Sequence, residues 1–346
     1  MDRRDFLKTT GGLAALTAGC ASTAAAMPAA AAGAGLSQRR LTVAMPWTAN
    51  HAGLADDAHR LAIRIQTALG DSIALDMHPD IGPRADITIA PVCADTALHP
   101  AFAYFGGLPG SHSLLPIELE GWLITGGGQD LWDDLAAPHG FKPLLAGHTG
   151  SNPILWSKSP ISAPEDLSGL KVVARGLDRD VLRALGAIPV LGDEQALGAA
   201  LTEPAVSAVI WGSPVHASAV GIPARFPFGL AGALGQSGGA LAVKVDLAVW
   251  ENFTPAEQAA VQAALSAEFR AALADADITR PAVEHAIAAR DGAVIKIPNA
   301  TFAAAVSRIA AAVVAHTAAH DPIAARIDRS YSAFKRAVHP NSINVS

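Results

Sequence analysis

From Leu41 to Ile210 the sequence alternates short apolar, β-prone runs with stretches of helical period, and that order leaves few architectures open. Leu41-Thr-Val-Ala-Met45 is β-prone. Leu54, Ala58, Leu61, Ala62, Ile65 and Leu69 then recur on one helix face, which predicts a helix over 54–69. Alternation returns over 73–77, and 86–92 reads as a buried strand. Strand–helix repeats cover both faces of a largely parallel sheet with helices, so the predicted class is α/β.

Farther along, Trp122–Thr125 and Leu144–Leu145 read as strands flanking a helix over about 129–136. Ser162-Ala-Pro-Glu165 has the form of a capping box, its turn ends at Gly169, and a strand starts over 170–173. A helix over 181–185 closes at Gly186, and 206–210 is another apolar strand run. The last third changes character. Thr254-Pro-Ala-Glu257 is a second capping box, with Pro255 suited to the first turn of an Ala-rich helix that runs towards Asp275 and on past Pro281. Another helix spans about 301–320, and Asp321-Pro322 opens a last one ending near Val338. Long helices returning over two α/β lobes predict a braced clamshell. The expected division is a leader and linker over 1–34, a first lobe over 40–160 with part of 240–280, a second lobe over 161–239, and bracing helices over 254–338.

Arg3-Arg4 lead into Asp5-Phe6-Leu7-Lys8 and a mild apolar run, the pattern of a twin-arginine export signal. Thr17-Ala-Gly-Cys20 has the form of a lipoprotein cleavage box, with Leu16 one place early, while small residues within 27–34 offer a second cleavage site. The expected location is therefore the periplasm, free or tethered through an acylated Cys20. About 300 residues then remain, enough for one large or two medium domains. The net charge of −6, without a basic cluster after the leader, argues against nucleic acid and anionic lipid as partners. Cys93, after Ala90-Pro-Val, reads as a small core residue rather than a nucleophile.

A search for chemistry is mostly negative. Among twelve scattered histidines, His316 and His320 are spaced to share a helix face, but no Glu or Cys ligand accompanies them and they read as a solvated face. Gly126-Gly-Gly128 lacks the Lys-Ser/Thr of a phosphate loop and reads as a turn. Ser111-His-Ser113 has no orienting acid, and no Gly-x-Ser-x-Gly elbow exists. The expectation is a protein that is not an enzyme and uses no cofactor or metal.

Trp47-Thr-Ala-Asn50, Gly53-Leu54 and Arg60-Leu-Ala-Ile-Arg64-Ile65 resemble the opening of TRAP transporter substrate-binding proteins, nearest the branch that binds 2-oxo acids. The resemblance continues through Gly126-Gly-Gly-Gln129-Asp-Leu-Trp132-Asp-Asp-Leu135, Gly147-His-Thr-Gly150 and Pro164-Glu-Asp-Leu-Ser-Gly-Leu-Lys171. Leu182-Arg-Ala-Leu-Gly-Ala187 and Ser330-Tyr331-Ser-Ala-Phe334-Lys-Arg336 extend it over most of the chain. It implies a two-lobed periplasmic receptor of the type II-like clamshell kind, closing on a small carboxylate for delivery to an ion-driven TRAP permease. It also implies a homodimer through the C-terminal helices, as in some members.

The ligand-contacting positions depart from that pattern. Where the family carries a carboxylate-clamping Arg, this chain has Val173, and Arg175 lies two residues along on the same strand face. Ser207 and Ile210 stand where the family has an Asp and a metal-ligating Glu. Trp211 and Pro214 are retained, and the family's substrate-binding Gln aligns with Asn152. A cleft-lining segment between Met77 and Phe102 is shortened to a Pro-rich stretch, and Gly238-Gly-Ala-Leu241 lacks a further acidic ligand. The expected contacts are Arg175, Asn152, Trp211 and Trp47, holding a small organic acid or more neutral solute without metal. The alternative is a periplasmic sensor or interaction protein that kept the fold and lost the ligand.

Overall fold

The computed structural model describes residues 38–45, 54–78, 85–150, 153–192, 194–235 and 238–340. The export signal, Cys20, Trp47 and Asn152 lie outside them. The chain opens with β1 (Arg39–Ala44), α1 (Leu54–Leu69), β2 (Ile73–Met77) and β3 (Ile87–Pro91). Ala58, Leu61, Ile65 and Leu69 are buried while His59, Arg60 and Ile63 are exposed, so the apolar stripe of α1 is the face it packs. Each fully buried Leu or Ile is worth about 1.5–3 kcal/mol, which fixes α1 as the crossover between parallel β1 and β2.

Next come α2 (Ala103–Gly106), α3 (Pro116–Thr125), α4 (Gly128–Ala136) and β4 (Phe141–His148). Trp122–Thr125, expected as a strand, is the last turn of α3. A four-residue apolar run carries no period of its own. The helix is set upstream by Pro116 at its start and by the Glu118 carboxylate, which accepts from the Leu115 N–H at 2.8 Å.

The second half of the fold holds β5 (Ile154–Ser157), β6 (Lys171–Ala174), α5 (Asp178–Ala184), β7 (Ile188–Leu191) and α6 (Glu194–Thr202). It continues through β8 (Ala208–Ile210), α7 (Pro214–Ala219), α8 (Ile222–Arg225) and β9 (Phe228–Ala231). Before β6 the capping carboxylate is Asp166, one residue beyond the expected Glu165, and it accepts from the Ser162 and Ala163 N–H groups. The chain then returns through β10 (Ala240–Asp246), α9 (Leu247–Glu251), α10 (Pro255–Asp291), β11 (Val294–Lys296), α11 (Ala300–Ala318) and α12 (Pro322–Val338).

Two sheets result, ordered β2-β1-β3-β10-β4 and β11-β9-β5-β8-β6-β7. Both are mixed, combining parallel and antiparallel pairs. β10 runs antiparallel to β3 and β4, and β5 antiparallel to β8 and β9, while β11, which also enters its sheet from the other one, runs parallel to β9. The first crossing falls between β4 and β5, so β5 pairs in the second sheet although it lies within the 40–160 stretch.

The helix α10 spans both halves, packing on β4 and α1 on one side and on α7, α8 and β11 on the other. Arg60 and Arg64 of α1 both pair with its buried Glu268. Pro281 interrupts the backbone hydrogen bonding without ending the helix, which closes at Gly292 with φ +65°. By length and composition α11 could cross a membrane, yet Phe302, Val306, Ala310 and Val314 form a buried stripe against the protein.

Candidate functional site

Between the two sheets lies a cavity of about 130 Å³. A comparable apolar cavity of about 150 Å³ accepts benzene, so the space suits a solute of roughly six heavy atoms. One wall is the short helical segment after β3, with Cys93 and Thr96; the opposite wall is the turn from β6 into α5, Arg175 to Asp178. The two approach closely: a Cβ on Gly176 would lie 3.3 Å from the Cys93 Cβ, and Gly176 has φ +52°. Cys93 therefore belongs to the cavity wall and not to the apolar core expected from its sequence context.

Arg175 and Trp211 meet at this wall. The guanidinium carbon sits 4.4 Å from the Trp211 ring centroid, and Nε donates to the Gly192 carbonyl. Stacking and the backbone contact hold the planar cation in one orientation. Val173, two residues back on β6, is fully buried in the core, and Ile210 lines the cavity. Asn152 and Trp47 are outside the described residues, so the structure brings together two of the four expected contacts.

A second ionisable side chain shares this wall. Asp178 is the first residue of α5, and burial with no offsetting charge pushes its carboxyl up to about 7. In sequence it is an ordinary acid at a helix start; only the closing of the fold over it sets it apart. His216 also lines the cavity, but both its nitrogens are engaged, Nε2 with Asp57 at 3.1 Å and Nδ1 with the Ser213 Oγ at 3.2 Å. Burial raises the Asp57 carboxyl, but His216 and Arg60 outweigh it and hold the group below the usual carboxylate range. Ser213 Oγ accepts from the His216 N–H as the cap of α7, so Ser213, His216 and Asp57 form a helix cap tied to α1, not an activated nucleophile.

Thr149 joins the crossing from β4 to β5 to the one from β9 to β10 at the cavity's edge. Its N–H donates to the Gly239 carbonyl at 3.0 Å, and its Oγ1 accepts from the Gly239 N–H at 2.9 Å. The histidine pair outside the cavity also differs from expectation. α11 ends at Ala318, so His320 lies beyond it and meets the His99 ring at 5.1 Å instead of sharing a face with His316. His99, His320 and Asp321 have their ligand atoms within 4.8 Å of one another. However, His99 Nδ1 accepts from the Ala101 N–H while Nε2 contacts Asp321 at 2.7 Å, so both nitrogens are already used.

No protein-family model matches the sequence. The fold superposes on a TRAP transporter solute-binding protein from Bordetella bronchiseptica RB50, with copurified calcium and picolinate, at TM-score 0.81 and 18% identity over 88% of this chain and 93% of that one. It also superposes on a TRAP periplasmic solute-binding protein from Pseudoalteromonas atlantica T6c with bound sodium and pyruvate, at TM-score 0.79 and 18% identity over 88% and 95%. A Bordetella pertussis extracytoplasmic solute receptor that binds pyroglutamic acid aligns at TM-score 0.68 and 15% identity over 85% and 99%. At these identities the likeness establishes the fold: the α/β clamshell of TRAP solute-binding proteins.

Proposed function

We propose that this chain is the periplasmic solute receptor of a TRAP-type secondary transporter, binding a small organic solute between its two lobes and passing it to the membrane permease. The carrying observation is the solute-sized cavity between the sheets, with Arg175 stacked on Trp211 in its wall. A cleft packed solid with side chains would favour the sensor or interaction protein instead. Binding is by closure: a solute that makes contacts with both walls only when they are together shifts the population towards the closed form. Export follows the twin-arginine leader, with Cys20 as a lipid tether if the cleavage box is used, and the C-terminal helices supply a dimer contact. The reading includes no turnover, since among the described residues the one Ser–His–Asp contact is a helix cap.

The test is a thermal-shift screen of the purified protein against 2-oxo acids, other small carboxylates and neutral solutes, with and without Na⁺ or Ca²⁺. A ligand at a hundred times its Kd stabilises by about 2.7 kcal/mol, visible as a shift of several degrees. A selective shift supports the receptor. A folded sample that responds to nothing would move the reading to the sensor or interaction protein.

A further inference from the structure

We propose that His148, the last residue of β4, is a positioning residue for the cavity's edge: its neutral ring pins the crossing from β4 to β5, and its protonation in acid releases the pin. The pin goes beyond the receptor reading and stands whatever solute the cavity takes.

The geometry of Gly150 carries the argument. Gly150 has φ +85°, a left-handed conformation that favours glycine. Three contacts hold it there. Its N–H donates to His148 Nδ1 at 3.1 Å. It backs onto α10, where an added Cβ would stand 3.2 Å from the Ala276 Cβ. Its carbonyl oxygen lies so close to Gly238 that a Cβ there would meet it at 1.9 Å. Of the three, only the bond to His148 involves a titratable group. The preceding residue, Thr149, pairs with Gly239 and lines the cavity, so the turn that His148 sets also sets the cavity's edge.

The imidazole brings more than this bond requires. His148 is 4% exposed and packs edge-on against Phe269 of α10. Because Nδ1 accepts, the neutral ring carries its proton on Nε2, which has no hydrogen-bond partner among the described residues. An Asn would accept the same N–H, two residues on, as an Asx turn. What the imidazole adds is a proton affinity within the ordinary pH range.

The charged groups on the elements around the ring are engaged elsewhere or face water. On α10, Glu268 pairs with Arg60 and Arg64, Arg270 with Glu120, and Asp277 with Arg280, while Asp275 is exposed. On β10, which pairs Ala240 with His148, Lys244 is held by Asp95 at 2.7 Å and Asp246 caps α9. On β4 itself, Lys142 pairs with Asp133. Burial therefore acts alone on the ring and lowers its pKa from 6.5 to about 4. A second proton would also set an N–H at Nδ1 against the Gly150 N–H. A ring released by a loosened crossing regains its ordinary affinity, so the pin is whole above about pH 6.5 and weakens as pH falls towards 4.

The experiment uses the purified protein alone, with ¹³C-labelled histidine and amide exchange followed by nuclear magnetic resonance. The His148 signal, identified by its loss in His148→Asn, should titrate more than one pH unit below 6.5. Protection of the Gly150 amide, corrected for the intrinsic exchange rate, should fall about tenfold or more from pH 7 to pH 5. His148→Asn should keep Gly150 protected without that fall, and His148→Ala should leave it poorly protected at both pH values. Parent and variant are compared at each pH because Asp178 titrates in an overlapping range with the opposite effect. A His148 signal that titrates near 6.5 overturns the pin. So does the same loss of protection in parent and His148→Asn, or a parent whose Gly150 protection ignores pH. Should a variant not fold, the Gly150 profile of the parent decides alone. Failure of the pin leaves the receptor reading standing, since no solute enters the test.

Discussion

A carboxylate withdrawn from water with no offsetting charge costs stability once it ionises. The folded-state pKa of Asp178 is raised from 3.8 to about 7 by burial, so the native state holds on to a proton the unfolded chain gives up. Its unfavourable contribution is absent below about pH 4 and grows as pH rises through the window up to about 7. Asp178→Asn should therefore melt like the parent at pH 4 and be more stable at pH 8 by a few kcal/mol. Parallel denaturation profiles from pH 4 to 8 would show that Asp178 is solvated after all. Arg175 makes the complementary prediction: Arg175→Ala should weaken solute binding by roughly 1.5–3 kcal/mol, and an unchanged Kd by calorimetry would take Arg175 out of the site. The unequal legibility of these two residues has a physical cause. Arg175 stands out because it lies two residues along the chain from Val173, where the resemblance implies an Arg. Asp178 and Cys93 carry no local pattern, since the close approach of Gly176 to Cys93, where an added Cβ would meet the Cys93 Cβ at 3.3 Å, exists only once distant segments meet.

At the scale of elements, legibility follows how far the determining contacts reach. α1 and α10 are set by their own stripe and cap: Thr254 Oγ1 accepts from the Glu257 N–H at 3.2 Å, and Glu257 Oε2 accepts from the Thr254 N–H at 2.7 Å. Trp122–Thr125 reads ambiguously because its partners are remote. Trp122 stacks with Phe105 at 5.2 Å, meets Tyr331 edge-on at 5.0 Å, and donates from Nε1 to Ser330 Oγ at 3.2 Å. That contact gives the Ser330-Tyr331 segment its structural meaning: it fastens α12 into the aromatic cluster of the first half. Tyr331 is buried, and its hydroxyl accepts from the Leu114 N–H at 2.6 Å. Tyr331→Phe keeps the ring and strands that buried N–H, so it should cost about 1–3 kcal/mol. The melting temperature should fall by several degrees, and an unshifted transition would mean that water or a neighbour takes over the donor.

The whole molecule turns on where its chain changes sheets. Two of its three crossings, from β4 to β5 and from β9 to β10, are stitched together by the paired hydrogen bonds between Thr149 and Gly239; the third runs through α10 to β11. In the proposed closure the bend falls at these crossings, which also edge the cavity through Thr149, Pro153, Gly238 and Gly239. The packing there is unusually close at one atom. A Cβ on Gly238 would stand 1.9 Å from the Gly150 carbonyl oxygen and 2.6 Å from Thr149 Oγ1, so the two backbones would have to part by more than an ångström. A Cβ on the next residue, Gly239, meets nothing nearer than Thr149 Oγ1 at 3.9 Å. Adjacent glycines thus make opposite predictions for the same added methyl group. Gly238→Ala should lower stability by about 1–3 kcal/mol through overpacking and weaken solute binding by wedging the crossings apart, whereas Gly239→Ala should melt close to the parent. Melting curves of the pair decide it: equal transitions would mean the crossings are loose enough to absorb a methyl, and a hinge that loose could not hold Arg175 and the opposite wall in register around a solute.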